Sequence, residues 1–473
     1  MSEAYSADPT GHEDARRART LLEQAGELAR LLMKSPQAPR TLTSEFLHGR
    51  KRFTSAERAL ISAAAFHALR CWRPAAYLLT GETGDVATRI DPALAKAVCA
   101  ASIHLSVAAP AAYPLPAELG GRRLPPSLRD GAALLLDSCH PSWRSDEAFS
   151  PAALARLAAV PSIAASLQDW VIDALRDVLP GEDALVRLGA ALCTPAPLTL
   201  RANLARTTRS ALIDRLAQMN VRAAAHPVLP AAVVVEERVG LTDGELYGEG
   251  LFEVQDAGSQ LIGCACAVRP GDAVFDACAG GGGKSMHLLD MMGDHGRLLA
   301  ADIERNKLRG LRQRAARIEA SSIETLALTP FGEAQDPSTP LPPHRSFDCV
   351  LVDAPCSGFG TVRRNPALKW RLQRKTVARL AERQLAILTR NAAYVRPGGI
   401  LVYATCSLLP QENDQIITNF LASREDFIPD PLQPAFRDCG LALPGLVPDA
   451  ASLTVHPDML DSDGYFIARM RRR

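Results

Sequence analysis

The chain has no excess of charge of either sign: 53 Lys and Arg stand against 52 Asp and Glu, a formal net charge of +1 over 473 residues. No global basic field therefore announces a nucleic-acid partner. No apolar run approaches the ~20 residues that a membrane span needs, and the N-terminal stretch MSEAYSADPTGHEDARR is polar, without a signal-peptide core. The 11 cysteines lack paired spacing. The tightest group, Cys264, Cys266 and Cys278, has neither C-x-x-C geometry nor neighbouring His ligands, which argues against zinc. These absences predict a cytoplasmic protein with no membrane segment and no metal, whose free thiols are available for chemistry.

A phosphate fingerprint is also missing, although FDACAGGGGKSMH (275–287) resembles one. The Walker pattern requires a Gly where this chain has Cys278, and the G-x-G-x-x-G spacing from Gly280 or Gly281 ends on Ser285 or Met286. What remains is a strand ending at Asp276, a glycine-dense turn, and a helix starting near Lys284. A turn without any ligand is the plain alternative.

The rest of the chain supplies the context. Ala/Leu/Arg-rich segments with helical spacing run from about Glu13 to Leu188, divided by proline-bearing loops. This predicts an all-helical N-terminal region over 1–190. A mixed segment over 191–249 carries TLRANL and AAVVVEE as strands around the helix TRSALIDRLAQM. From 250 to 473 strands and helices alternate, the sign of an α/β domain with a parallel sheet. Its expected strands are AVFDAC, RLLAAD, ETLALT, FDCVLVDAP, GILVYATC and GYFIARM. Ligands of such sheets bind at the carboxyl ends of the strands. Those ends carry Asp276 and Cys278, Asp302, Asp353 with Cys356, and Cys406. Arginines cluster late in the chain, in RGLRQRAAR, VRRNP and ARMRRR, where planar guanidinium forks could meet phosphates or bases. Solvated faces explain each cluster equally well.

An acid closing the second strand is the usual partner of ribose hydroxyls, so Asp302 points to a nucleoside-bearing cofactor; as a lone residue it could equally cap a helix. Without a pyrophosphate fingerprint, S-adenosylmethionine suits the turn, having a ribose, an adenine and an amino acid tail. DAPCSG and ATCSLLPQEN put two cysteines at strand tips, the second expected just before a helix whose positive end would favour a thiolate. The remaining cysteines considered, Cys71, Cys99, Cys139, Cys193, Cys264, Cys266 and Cys349, read as small buried hydrophobes. A methyl donor, a carboxyl group and two thiols fit methylation of a pyrimidine at carbon 5. A thiolate adds to carbon 6 and makes carbon 5 nucleophilic; an acid, Asp353, relieves charge at the ring nitrogen; a second thiol assists elimination.

From about Pro197 onward the sequence resembles the RsmB/NOL/Sun family of RNA cytosine-5 methyltransferases. LFEVQDAGSQL, DACAGGGGKS, LVDAPCSGFGTVRRNPALKW, YATCSLLPQEND and DSDGYFIARM look like its successive motifs, and PLTLRANLARTTRSAL resembles its small preceding domain. The resemblance implies a Rossmann-like class I methyltransferase domain over 250–473, behind a small RNA-binding α/β segment over 191–249. It implies a ribosomal RNA substrate, S-adenosylmethionine as cofactor, and a monomer. By the same resemblance Cys406 is the nucleophile and Cys356 serves product release. Asp353 and Lys284 act beside the base. Cys278, Ala279, Gly280, Gly281, Gly282, Gly283, Lys284, Asp302 and Asp353 line the cofactor. Transfer-RNA or DNA cytosine methylation, or a catalytically silent RNA-binding assembly factor, are the alternatives. Two positions depart from the family pattern: Thr329 and Pro330 stand where an acid is common, and Lys307-Leu308 where Arg-Leu is usual. LTSEFLHGRKRFTSAERALISAAAFHALRCW has a fainter likeness to the family's helical RNA-binding module.

Overall fold

A computed structural model describes residues 9–83, 91–116, 119, 125–139, 149–236 and 240–473. The chain divides into two compact units: Met1–Pro195 with Thr361–Gln373, and Ala196–Gly360 with Arg374–Arg473.

The first unit is helical. Its longest helix, Pro9–Lys34, buries Leu21, Leu22, Ala25, Leu28, Ala29 and Leu32, a stripe at the 3.6-residue period. Gly26 lets this helix touch Pro92–Ala108 backbone to backbone: a Cβ there would lie 2.7 Å from the Lys96 Cα. The helix Ser55–Arg70 opens with a capping box, the Thr54 hydroxyl accepting from the Glu57 N–H while the Glu57 carboxylate accepts from the Thr54 N–H. The segment Thr361–Gln373 joins this unit through its own core residues. Ala367 and Trp370 pack into the same apolar cluster as Leu28, Leu69 and Trp72. The Trp370 indole donates to the Leu69 carbonyl at 2.8 Å, and the fully buried Lys369 ammonium reaches the Arg70 carbonyl at 3.3 Å and the Cys193 sulfur at 3.5 Å.

The second unit holds two sheets. In the smaller, β1 (Leu198–Ala202), β2 (Ala223–Ala225), β3 (Ala232–Val235) and β4 (Phe252–Val254) run antiparallel in the order β2-β3-β1-β4. The helix Arg209–Gln218 belongs to the same cluster, burying Leu212 and Leu216 with Leu200, Ala202, Val233 and Val235. In the larger sheet, β5 (Ala273–Asp276), β6 (Arg297–Asp302), β7 (Ile323–Ala327), β8 (Phe347–Asp353) and β9 (Val395–Thr405) pair in parallel. They are followed by antiparallel β10 (Phe427–Pro429), β11 (Ser452–Val455) and β12 (Tyr465–Arg472). The order is β10-β12-β9-β8-β5-β6-β7, with β11 on β12. The chain runs outward from β5 through β6 and β7, then returns to the other flank at β8, so the order reverses between β5 and β8. Such a reversal opens a crevice beyond the strand ends, where open α/β sheets bind ligands.

Buried charges join the small sheet to the helices that follow β5 and β6. Arg201 of β1 pairs with Asp290 of the helix Gly283–Met292, and Glu253 of β4 takes Arg314 and Arg317 of the helix Arg305–Arg317. Removing one partner of such a pair leaves a buried charge uncompensated.

Candidate active site

The turn after β5 bends where only glycine does so cheaply. Gly280 has φ +55° and Gly282 φ +83°, and a Cβ on Gly282 would strike Leu311. A Cβ on Gly280, Gly281 or Gly283 would meet nothing within 4 Å, so the turn presents bare backbone to open space at the strand ends. Asp302, the last residue of β6, holds the turn in place. One of its oxygens accepts the Gly280 N–H at 2.8 Å and the other the Glu304 N–H at 2.8 Å. Both readings of Asp302 from the sequence therefore have a geometric basis: it touches the glycine turn, and it braces the chain ahead of the next helix. A bare glycine edge between strand-end carboxylates fits a ligand with hydroxyls and an amino acid tail. Asp276, buried, accepts the Ser285 hydroxyl at 2.6 Å. Burial pushes its carboxyl up to about 7, against that hydrogen bond and with the Asp353 charge adding to the shift.

Lys284 is the second residue of the helix Gly283–Met292 and reaches across to Asp353, the last residue of β8, at 2.6 Å. Burial alone would lower the ammonium's pKa, but the charge and hydrogen bond of Asp353, helped by Cys406, outweigh it and raise it. Cys356 and Cys406 follow β8 and β9, and their sulfurs stand 3.3 Å apart as free thiols, both half-buried. The Cys356 thiol is pushed well up, first by its contact with the Cys406 sulfur, then by burial and by the charges of Cys406 and Glu412. The Gly360 N–H donates to the Cys406 carbonyl at 2.9 Å, which ties the two cysteine turns together.

The helix expected directly behind Cys406 starts later. A short 3-10 turn, Pro410–Glu412, intervenes and the helix begins at Asp414. The positive charge acting on Cys406 is therefore that of Lys284. One residue to which the sequence reading gave no role sits between the turns: Glu412, fully buried, accepts from Ser357 and Ser407, each the residue after a site cysteine. Its only signal was its place in YATCSLLPQEND, and its partners on the Cys356 turn lie 55 residues away. The structure thus gathers Lys284, Asp353, Cys356 and Cys406 into one cluster, with Cys278 to Gly283 and Asp302 along the adjoining turn. A cavity of about 670 Å³ also borders the helix Gly283–Met292, lined by His287, Asp290, Cys264 and Cys439, but none of the predicted site residues lines it. Among the described residues no group of three or more His, Cys, Asp or Glu is placed to hold a metal, and no helix is long and apolar enough to cross a membrane.

The sheet order, the glycine turn after β5 and the acid closing β6 define the Rossmann-like fold of S-adenosylmethionine-dependent methyltransferases. Comparison with known proteins narrows the class. The family model described as 16S rRNA methyltransferase RsmB/F matches residues 264–471, and that of the RsmF/B-like ferredoxin-like domain matches 168–242. A Synechocystis protein named Probable ribosomal RNA small subunit methyltransferase B is 33% identical over 311 residues, 65% of this chain and 67% of its own. A Bacillus subtilis protein of the same name is 31% identical over 321 residues, 64% of this chain and 66% of its own. The chain thus spans about two thirds of the length of these relatives, and it belongs to the RsmB/F family of 16S rRNA methyltransferases. Among solved structures, that of PH0851 superposes with a TM-score of 0.67 at 19% identity, covering 96% of this chain and 99% of its own. NSun6 from Pyrococcus horikoshii, crystallised with SFG, gives 0.54 at 17% identity over 64% of this chain and 98% of its own. Both likenesses are of fold.

Proposed function

We propose that the chain methylates carbon 5 of a cytosine in ribosomal RNA through a covalent adduct on Cys406. The observation that carries this reading is the sulfur pair, 3.3 Å apart at the ends of neighbouring parallel strands and beside the Lys284–Asp353 pair. One strand-tip thiol would serve addition alone; two adjoining thiols serve addition and release. The names of the relatives favour small-subunit ribosomal RNA as the substrate.

The turn from Cys278 to Gly283, with Lys284, Asp302 and Asp353, would hold S-adenosylmethionine, which supplies the methyl group when bound. The Cys406 thiolate, favoured by the Lys284 ammonium, adds to ring carbon 6. The electron pair displaced from the 5,6 double bond makes carbon 5 the nucleophile. The Lys284–Asp353 pair shares a proton between ammonium and carboxylate, and from there it is delivered to the ring nitrogen where negative charge builds. Once carbon 5 carries its methyl group, its proton must leave. Cys356, whose sulfur holds a proton tightly, assists that departure; the freed pair restores the double bond as the carbon–sulfur bond breaks, returning Cys406 as thiolate. The helical region 1–190 and the segment 191–249 would serve as the RNA-binding parts, and residues 250–473 as the catalytic domain.

Incubating Cys356→Ala with substrate RNA and S-adenosylmethionine should leave a protein–RNA complex that survives denaturing electrophoresis. Cys406→Ala and the double variant should give none. A trapped complex in Cys406→Ala alone would reverse the roles, and bisulfite mapping of the RNA with and without the protein locates the methylated base.

A further inference from the structure

Glu412 is the buried acid closest to both cysteine turns in the hydrogen-bond network, and every group bonded to its carboxyl oxygens is a donor. Oε1 accepts the Ser357 N–H at 2.7 Å and the Gln384 side-chain N–H at 3.0 Å. Oε2 accepts the hydroxyls of Ser357 and Ser407, each at 2.5 Å. The direction of those hydroxyl bonds follows from their other contacts. Ser357 Oγ already accepts the Phe359 N–H at 3.3 Å, and Ser407 Oγ the Leu409 N–H at 3.2 Å, so each has its proton free for the carboxylate. Donors on every side and no acceptor for a proton define an ionised carboxylate, all of its bonding partners neutral.

We infer that Glu412 is the positioning residue of the thiol pair, a fixed buried charge that locks the two cysteine turns together and keeps the shared proton on Cys356, leaving Cys406 free to attack. This rests on the cysteine mechanism proposed above and adds the cause of its asymmetry. The charged and titratable groups around the sulfurs fall on two sides. Glu412 is bonded to the residue that follows Cys356, and its charge raises the Cys356 thiol. Lys284, paired with Asp353, lies on the Cys406 side and is itself held up by that sulfur. Tyr403 of β9, fully buried, donates its hydroxyl to the Glu412 carbonyl at 2.7 Å and is neutral, its pKa pushed well up by burial. A negative charge behind one sulfur and a positive charge beside the other polarise the pair in one sense. A proton shared between two otherwise similar thiols then has a preferred owner.

Glu412→Gln separates charge from clamp. The amide oxygen can take the place of Oε1 toward the two N–H donors. The amide nitrogen can donate to both serine hydroxyls, which rotate to accept, so four bonds persist without the charge. The readout is the rate of carboxamidomethylation of each cysteine by iodoacetamide in the full-length protein, followed by peptide mass against pH. Only a thiolate reacts, so the profile reports which sulfur holds the proton. In the unaltered protein Cys406 should be modified before Cys356 near pH 7. In Glu412→Gln the Cys356 profile should move down by about one pH unit, near neutral pH about a tenfold faster reaction, the scale of losing one nearby charge. Ser357→Ala, which loosens the clamp and keeps the charge, should lower the melting temperature and leave the Cys356 profile in place. An unmoved Cys356 profile in Glu412→Gln overturns the inference, as does modification of Cys356 first in the unaltered protein, a test that needs no variant to fold. If the Cys356→Ala trap forms while the Glu412→Gln profile stays fixed, the cysteine roles stand and only the part given to Glu412 falls.

Discussion

Asp302 and Asp276 show how differently two strand-end carboxyls of one sheet behave. Asp302 offers its oxygens to two backbone N–H groups, one of them in the glycine turn. Asp302→Ala should therefore weaken S-adenosylmethionine binding by ~1–3 kcal/mol, through lost charge-assisted bonds to the ligand and a loosened turn. Calorimetry checks it: a dissociation constant within about twofold of the unaltered protein would leave Asp302 as a brace only. Asp276 is the opposite case, a buried carboxyl pushed up to about 7. The unfolded chain ionises this group near its ordinary value of about 3.9, while the fold keeps it protonated up to about 7. The unfolded state loses its proton first, so this group withdraws stability as pH rises from about 4 to about 7. Asp276→Asn removes that dependence. Its melting temperature relative to the unaltered protein should rise between about pH 5 and about pH 8; a constant difference would mean that Asp276 is ionised throughout.

Among the elements, those with a clear period or a strong edge signal were legible from the sequence. The strands β5, β6, β8 and β9 are apolar runs closed by Asp276, Asp302, Asp353 and Thr405, and the residues expected at their ends are there. The helix Ala257–Cys266 was not legible as a helix, because all ten of its residues are buried and no polar face marks a 3.6-residue repeat. The strands β2 and β4 have three residues each, too few to show an alternation. The segment Thr361–Gln373 was legible as a motif and not as a structural part. Nothing local in VRRNPALKW shows that Trp370 bonds to Leu69, which lies 301 residues earlier. That segment carries its own prediction. Trp370→Ala removes a large side chain packed among Leu28, Leu69 and Trp72 and should cost ~3–5 kcal/mol, lowering the first thermal transition seen by calorimetry. An unchanged first transition would mean that the segment contributes nothing to the helical core.

For the whole molecule, the division into a helical part and a catalytic part is real in packing and incomplete in sequence. The first unit takes Thr361–Gln373 from within the second, so no single cut separates them. A shortened chain that begins at residue 191 would lack Leu69 and Arg70, the acceptors for Trp370 and Lys369. It should expose Ala367 and Trp370 and bind a hydrophobic dye that the full chain does not; equal dye binding by both forms would contradict the packing role of the segment. The same interleaving fixes an order of events during synthesis. The helices of the first unit leave the ribosome early, but their core lacks Ala367, Lys369 and Trp370 until the whole run from Ala196 to Gly360 has been translated. At ~5–20 residues per second that delay is on the order of ten to thirty seconds. Over that interval the nascent helical part exists as an open vessel, completed only by a stretch of chain encoded far downstream.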